Sequence, residues 1–256
     1  MIKTIFYLTL LTLANLKVSG QDKIQLPNLE SKKMLTILFD VKTFNKENVG
    51  LWKPNVYEKV NMPITDDGFC YTAVDTILYT SENNKDKAIV IFKSQQYDGG
   101  SPSGCHACGV MLSIATFTKV DKNWELSQFK KRFKNAGFYG ETQGHFEIKR
   151  LGEYLNCLYH HAAIDGNQGY FSGFGFLYSL EEDADFEQIF QYRYSDTNEG
   201  AVEKNWYTEN TEMKIIKAEN FYKIELITKR NNKGIFNKRL FEYSEELDSY
   251  LPVKIE

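Results

Sequence analysis

The chain has 256 residues, of which 42% are hydrophobic and 25% charged, and its formal net charge is −3. These fractions are close to those of ordinary globular proteins, which excludes a wholly disordered or collagen-like chain. A net charge near zero gives no basic footprint for nucleic acid, so we expect no nucleic-acid partner. Aromatic residues make up 14% of the chain, and this enrichment favours β-structure, where rings pack well on a pleated surface.

The first twenty residues, Met1–Gly20, have the pattern of an export signal. Lys3 supplies a positive charge, Ile5–Leu16 forms an apolar stretch, and small or modest residues precede Gln21. A buried N-terminal helix is the alternative. Lys17 interrupts the apolar run before it reaches the roughly 20 residues that a spanning helix needs, so we expect no transmembrane anchor. The sequence therefore predicts a signal peptide and a soluble exported protein, either in the bacterial periplasm or secreted, with a net charge of −5.

The segment after this signal predicts one helix and then a loop. Gln21–Pro27 has no regular pattern. Apolar spacing then predicts a helix from a cap at Asn28 through about Phe44, and a strand over Thr36–Val41 is the alternative. Gly50–Gly68 contains two prolines and an Asp-Asp-Gly sequence, which predicts a loop with turns.

From Phe69 onward, strand-like runs and turn signals follow one another to the C-terminus. Val110–Val120 is the clearest strand, and a turn at 121–123 leads it back into Trp124–Phe129 as a β-hairpin. Phe186–Tyr194 fits a helix or a strand. The other predicted strands are Cys70–Tyr79, Ala88–Lys93, Phe146–Leu151, Glu153–Ala163, Tyr170–Leu180, Met213–Ala218, Phe221–Lys229 and Gly234–Tyr243. This spacing predicts a mainly β fold (all-β or α+β), an antiparallel β-sandwich or partly open barrel with an N-terminal helix.

We expect a single exported domain over residues 21–256. The segment 181–212 holds ten acidic residues against two basic ones, which makes it the candidate for an insertion or boundary. Ser81–Lys87 is a polar connection between two predicted strands. Phe129–Lys134 interleaves aromatic and basic residues, and on an acidic exported protein this run indicates a solvated edge strand rather than a lipid or nucleic-acid site.

Four cysteines lie beyond the export signal: Cys70, Cys105, Cys108 and Cys157. An even number in an exported chain favours disulfides, and three pairings are possible. Cys70 and Cys157 each fall on a predicted strand. We therefore favour a bond between these two beside a local bond between Cys105 and Cys108.

The segment Cys105-His106-Ala107-Cys108 follows a glycine-rich loop, and a structural disulfide is its leading interpretation. A redox-active pair is one alternative, although thioredoxin-like domains follow this motif with a helix and Val110–Val120 predicts a strand. A zinc or copper site is another. Adjacent His160 and His161 on a strand point to opposite faces, so at most one of them joins such a site. The candidate metal ligands are Cys105, His106, Cys108, His145, His160 and His161.

No recognisable catalytic set is present; Ser103, for example, lacks the G-x-S-x-G pattern of a hydrolase. The leading interpretation is therefore a disulfide-stabilised, non-catalytic binding or inhibitory module, with an unknown protein or small molecule as its ligand and no cofactor. One alternative is a metal-binding or thiol-redox protein centred on the Cys105–Cys108 segment. A cell-envelope structural protein is the second alternative.

Overall fold

The computed structural model describes most of the chain beyond the predicted export signal. The described residues are 23–55, 68–82, 84–95, 97–98, 101–102, 109–137, 141–142, 144–153, 155–165, 170–231 and 233–253. The predictions for Met1–Gly20, Cys105, His106 and Cys108 therefore concern residues outside this set. No helix in the described part has the length and apolarity needed to cross a membrane.

The N-terminal helix, α1, is formed by Ser31–Phe39 and is shorter than the sequence predicts. Met34, Leu35, Leu38 and Phe39 are buried, which is the spacing of one helical face. The helix ends because Asp40 takes a left-handed conformation, with φ 55°. The predicted cap at Asn28 and the predicted end at Phe44 were both wrong: the capping position is residue 30, and residues 43–44 form a short strand.

In the described part of the chain, nine strands precede the second sheet, with the bounds β1 Gln25–Leu26, β2 Thr43–Phe44, β3 Gly50–Trp52, β4 Cys70–Glu82, β5 Lys85–Gln95, β6 Tyr97–Asp98, β7 Ser101–Pro102, β8 Val110–Val120 and β9 Asn123–Ala136. Seven of them form the first sheet, in the order β1-β9-β8-β5-β4-β3-β2, and every pair that the structure describes in it is antiparallel. The other two, β6 and β7, form a separate two-stranded ribbon.

The second sheet is an antiparallel meander in which eight strands follow in chain order. Its bounds are β10 Gly144–Arg150, β11 Asn156–Asp165, β12 Phe171–Ser179, β13 Gln188–Thr197, β14 Thr208–Ile216, β15 Lys223–Arg230, β16 Ile235–Ser244 and β17 Ser249–Pro252. The last strand folds back onto β13: the Ser249 hydroxyl donates to the Ile189 carbonyl at 3.1 Å, and the rings of Phe190 and Tyr250 meet edge to face. The sheet is therefore curled.

Three buried clusters hold these layers together. The helix-side cluster packs α1, through residues such as Met34, against one face of the first sheet, including Phe92. The inter-sheet cluster joins the other face of that sheet to β11 and β12, with Leu112 and Leu158 among its members. The third cluster fills the curl of the second sheet and includes Tyr250. This layering confirms the mainly β, sandwich-like fold with an N-terminal helix.

Several strand bounds differ between the sequence-based predictions and the structure. The hairpin and the bounds of β8 are confirmed, with Asp121 in a left-handed turn conformation at φ 54°. The polar connection at Ser81–Lys87 is mostly strand, because β4 and β5 continue to a tight turn. Residues 186–194, for which the sequence fits a helix or a strand, lie mainly in a strand. The sequence analysis did not predict β17, and Gly50–Trp52 is a strand where a loop is predicted. The acidic segment 181–212 contains β13 and the beginning of β14.

Candidate functional site

The described thiols, Cys70 and Cys157, are buried and free. Cys70 belongs to the helix-side cluster and Cys157 to the cluster in the curl of the second sheet. The expected bond between them is not formed, because the two strands that carry them lie in different sheets. Burial raises the pKa of the Cys70 thiol to about 11, and it also raises that of Cys157. Both thiols are thus protonated and unreactive at neutral pH.

The structure brings together two of the predicted metal ligands. His145 and His161 are direct cross-strand partners on β10 and β11, and their ring centres are 4.9 Å apart. Burial lowers the pKa of His161, with a further contribution from His145. Within the described ranges, no group of three or more His, Cys, Asp or Glu side chains is placed to hold a metal ion.

His160 is separated from this pair, as the alternation of a strand predicts. Its fully buried ring stacks on Phe146 at 4.3 Å, whereas the His161 ring stacks on Tyr194 at 3.7 Å. Neither ring nitrogen of His160 has a hydrogen-bond partner among the described residues. Burial, with a smaller effect of Lys134, lowers the pKa of His160 to about 3. His160 is therefore a neutral core residue, and its assignment as a metal ligand is not supported.

Lys134 is the polar residue that the sequence reading missed. Its side chain enters the inter-sheet region, where Nζ donates a hydrogen bond to the Tyr178 hydroxyl and lies over the Phe176 ring. Burial lowers its pKa to about 7. The sequence analysis interprets the run around Lys134 as a solvated edge, and alternation along the strand does not indicate that this lysine points inward.

Over its second half, strand β4 has no strand partner on its outer side among the residues that the structure describes. β5 pairs with β4 along its length, but β3 pairs only with residues 70–72. Over Thr76–Glu82, no strand in the described part of the chain pairs with the outer side of β4. Within the described ranges, the outward backbone N–H and C=O groups of this stretch thus have no strand partner and can bond with water or with another chain.

A cleft of about 610 Å³ borders this edge. One wall is the end of β4, with Tyr79 and Glu82, and the opposite wall includes Ile148 and Arg150 of β10, the first strand of the second sheet. Its volume falls within the roughly 300–1,000 Å³ of ligand sites. A second groove on β13–β16, lined by residues such as Arg193 and Asp196, has about 240 Å³, which is below this range.

Hydrogen bonds hold the polar groups of the cleft in place. The Glu82 carboxylate accepts from Lys87 Nζ and from Asn156 Nδ2, the latter at 3.3 Å. Arg150 donates to the carbonyls of Gly152 and Glu153 at 3.0 and 2.9 Å. Tyr79, in contrast, is 63% exposed, and its ring meets Trp124 at 6.0 Å. The cleft thus combines an open strand edge, a fixed carboxylate and an accessible aromatic ring.

Comparison of the chain with protein-family models, with curated proteins and with solved structures finds no match.

Proposed function

We propose that the chain is an exported, non-catalytic binding module that takes an extended peptide segment of a partner protein along the free edge of β4. Export rests on the signal-like pattern of Met1–Gly20. The observation that supports the binding role is the edge Thr76–Glu82 beside the cleft, which no described strand pairs with on its outer side. Addition of a strand to such an edge satisfies main-chain groups of both chains, which is an established mode of peptide recognition.

The length of the edge sets the size of the ligand. Seven residues, Thr76–Glu82, rise about 3.3 Å each and span roughly 23 Å. Each new main-chain hydrogen bond contributes about 0.5–1.5 kcal/mol net, so several together give measurable affinity. Part of this gain offsets the ordering of the peptide. A heptapeptide is therefore the natural probe.

The two faces of β4 set the side-chain preference of the peptide. Ile77 packs on the helix-side cluster and Leu78 on the inter-sheet cluster, so an added strand extends both clusters. Apolar side chains are favoured where the peptide passes these residues. The Glu82 carboxylate accepts from Lys87 Nζ and keeps further acceptor sites, so it favours a Lys or Arg at the adjoining end, where opposite charges placed side by side stabilise a strand pair.

Selection from a displayed library of random heptapeptides tests the proposal. The expected consensus has apolar residues beside a basic end, and a synthetic peptide of that sequence should bind the full chain. Tyr79→Lys places a charge on the edge and should weaken binding at least about tenfold. Tyr170→Lys is the matched control, because Tyr170 is also exposed and does not line the cleft; it should leave the affinity unchanged.

Backbone N-methylation separates strand addition from recognition of side chains alone. Methylating alternate residues of the consensus peptide removes main-chain donors and keeps every side chain. Two such peptides exist, one methylated at the odd positions and one at the even positions. Only one set of amides faces β4, so one of the two peptides should lose binding. The proposal would be overturned if both methylated peptides bound with equal affinity. It would also be overturned if no heptapeptide were selected and the chain instead bound an oligosaccharide saturably, with Tyr79→Lys abolishing that binding.

A further inference from the structure

We propose that His145 and His161 form a binding site for Cu²⁺ on the face of the second sheet that carries both rings. The two residues are directly paired across β10 and β11, which brings their imidazoles side by side. This site does not depend on the proposed peptide edge, because Ile148 and Arg150 line the cleft while the histidine pair lies at the other end of β10.

The spacing of the rings fits coordination of one ion. Imidazole nitrogen binds such metals at about 2.0 Å, which places the centre of the ring about 3.2 Å from the ion. Two rings then have centres about 4.5 Å apart at a 90° ligand angle and about 5.2 Å apart at the tetrahedral angle. The observed separation of 4.9 Å lies between these values. Tetragonal Cu²⁺ requires the 90° value, so the two ring centres must approach each other by about 0.4 Å when the ion binds.

The backbone and a neighbouring ring fix the pair in place. Gly144 precedes His145 with φ 139°, and a Cβ there would lie 1.8 Å from the His161 carbonyl oxygen, so β10 and β11 approach closely. The His161 ring stacks on Tyr194 at 3.7 Å with an interplanar angle of 23°. Stacking occupies the face of the imidazole, whereas a metal binds a nitrogen lone pair in the ring plane. Tyr194 thus orients His161 without competing for the ion.

The number of ligands favours copper over structural zinc. Structural zinc sites use four protein ligands, and the described residues bring only two imidazoles together here. Cu²⁺ heads the divalent affinity series and accepts nitrogen and oxygen ligands in tetragonal geometry, so water completes its coordination. The Glu147 carboxylate lies 4.0 Å from His145 Nε2 and is paired with Lys149 Nζ at 2.9 Å, so the two imidazoles alone are the protein ligands of the site.

Copper titration with electron paramagnetic resonance tests this site. The full chain, treated with a chelator and dialysed, should bind one Cu²⁺ whose spectrum shows nitrogen coupling. The His145→Gln change alters an exposed side chain, so the fold should be kept, and it should weaken binding at least about tenfold. The His161→Gln change should do the same.

A second pair of substitutions separates this site from the Cys105–Cys108 segment. The double variant Cys105→Ser and Cys108→Ser should bind Cu²⁺ as the unaltered chain does. Unchanged affinity in His145→Gln, or loss of binding in the cysteine double variant, would overturn the assignment.

Discussion

The two outer edges of the first sheet differ in what protects them. β1 pairs with β9 only at residues 124–125, with one further hydrogen bond from the Leu126 amide, so β9 beyond this point has no strand partner on its outer side among the described residues. That stretch contains Phe129–Lys134, with four basic residues. The free edge of β4 reads Thr-Ile-Leu-Tyr-Thr-Ser over 76–81, without a charged side chain, and ends at Glu82. Charged residues on an edge oppose pairing with another chain, so β9 carries a protection that β4 lacks over residues 76–81.

The basic residues of β9 are also bound into the fold. Lys130 donates to the backbone carbonyl and to Oδ2 of Asp185 at 2.8 and 2.7 Å. Lys131 Nζ lies over the Trp52 ring, 4.8 Å from its centre. Lys134 points between the sheets. One basic residue of this strand, Lys134, is therefore partly buried, and burial of its charge opposes folding.

Removing a side chain from the centre of the sheet should affect both edges. Phe92 on β5 is fully buried and contacts Phe39 and Phe129 edge to face. Phe92→Ala should lower the free energy of unfolding by about 3–5 kcal/mol in urea titration. Hydrogen exchange in β4 and β9 should then accelerate by similar factors, as one cooperative sheet requires. Faster exchange in β4 alone would contradict a shared core.

Replacing the inward cation should stabilise the protein. Lys134→Met removes the desolvated amine and keeps its volume, so the free energy of unfolding at pH 7 should rise by about 2 kcal/mol. Lys130→Met, on the same strand, should change it by no more than about 0.5 kcal/mol. Thermal and urea unfolding measure both. A destabilised Lys134→Met would mean that the bond to Tyr178 outweighs burial of the cation.

The pH dependence of stability should show the titration of Lys134. The pKa of Lys134 is about 7 in the fold and near 10.4 in an unfolded chain, so the folded state binds fewer protons between these values. Stability should therefore rise from pH 7 to 10, with the penalty fully present below pH 7. Lys134→Met should have a smaller rise over this window, measured by urea unfolding at each pH. An unchanged slope would exclude Lys134 as its source.

The buried histidine should also be replaceable with a gain in stability. Both His160 nitrogens lack partners among the described residues, and its ring lies between Phe146 and Phe176. His160→Phe should raise the free energy of unfolding by about 1–2 kcal/mol, because it removes unsatisfied polar atoms and keeps an aromatic ring. His145→Phe is the matched control on the exposed face, where we expect a change within about 0.5 kcal/mol. Equal effects of the two changes would argue against this explanation.

The smallest effect is expected from removing charges on the protected edge. Lys130→Thr with Arg132→Thr gives β9 an outer edge more like that of β4. The variant should self-associate weakly, with a dissociation constant near 1 mM, which corresponds to about 4 kcal/mol of binding free energy. Sedimentation velocity over a concentration series measures this. A variant that sediments as the unaltered chain does at every concentration would show that these charges are not what protects β9.

Local sequence patterns predicted the helix and the strands better than they predicted which strands pair with each other. The β-branched run and turn that define β8 lie within the strand itself, so the sequence placed both of its ends correctly. The helix was predicted too long because Asp40 terminates it in a left-handed conformation that spacing of apolar residues does not reveal. The free edge of β4 depends on β3 being only three residues long and pairing at one end. Strand order is a long-range property.

The inward direction of Lys134 depends on register. Leu112 on β8 is opposite Lys134, whereas Ile114 is opposite Lys130, so an irregularity in β9 separates the two pairs. Such a bulge changes which side chains face the core. Simple alternation along Phe129–Lys134 does not indicate where it occurs. The histidine pair is similar: the strand pattern put His160 and His161 on opposite faces, but only the register brought His145 to His161.

Hydrogen exchange of the full chain with and without the consensus heptapeptide tests the central claim most directly. We expect slower exchange at alternate amides of Thr76–Glu82, the ones that face away from β5, and no slowing on the outer side of β9. The Tyr79→Lys variant should lose this protection. The account would be contradicted if saturating peptide left the exchange rates of the β4 amides unchanged. Protection of β9 or of the groove on β13–β16 instead would contradict it as well.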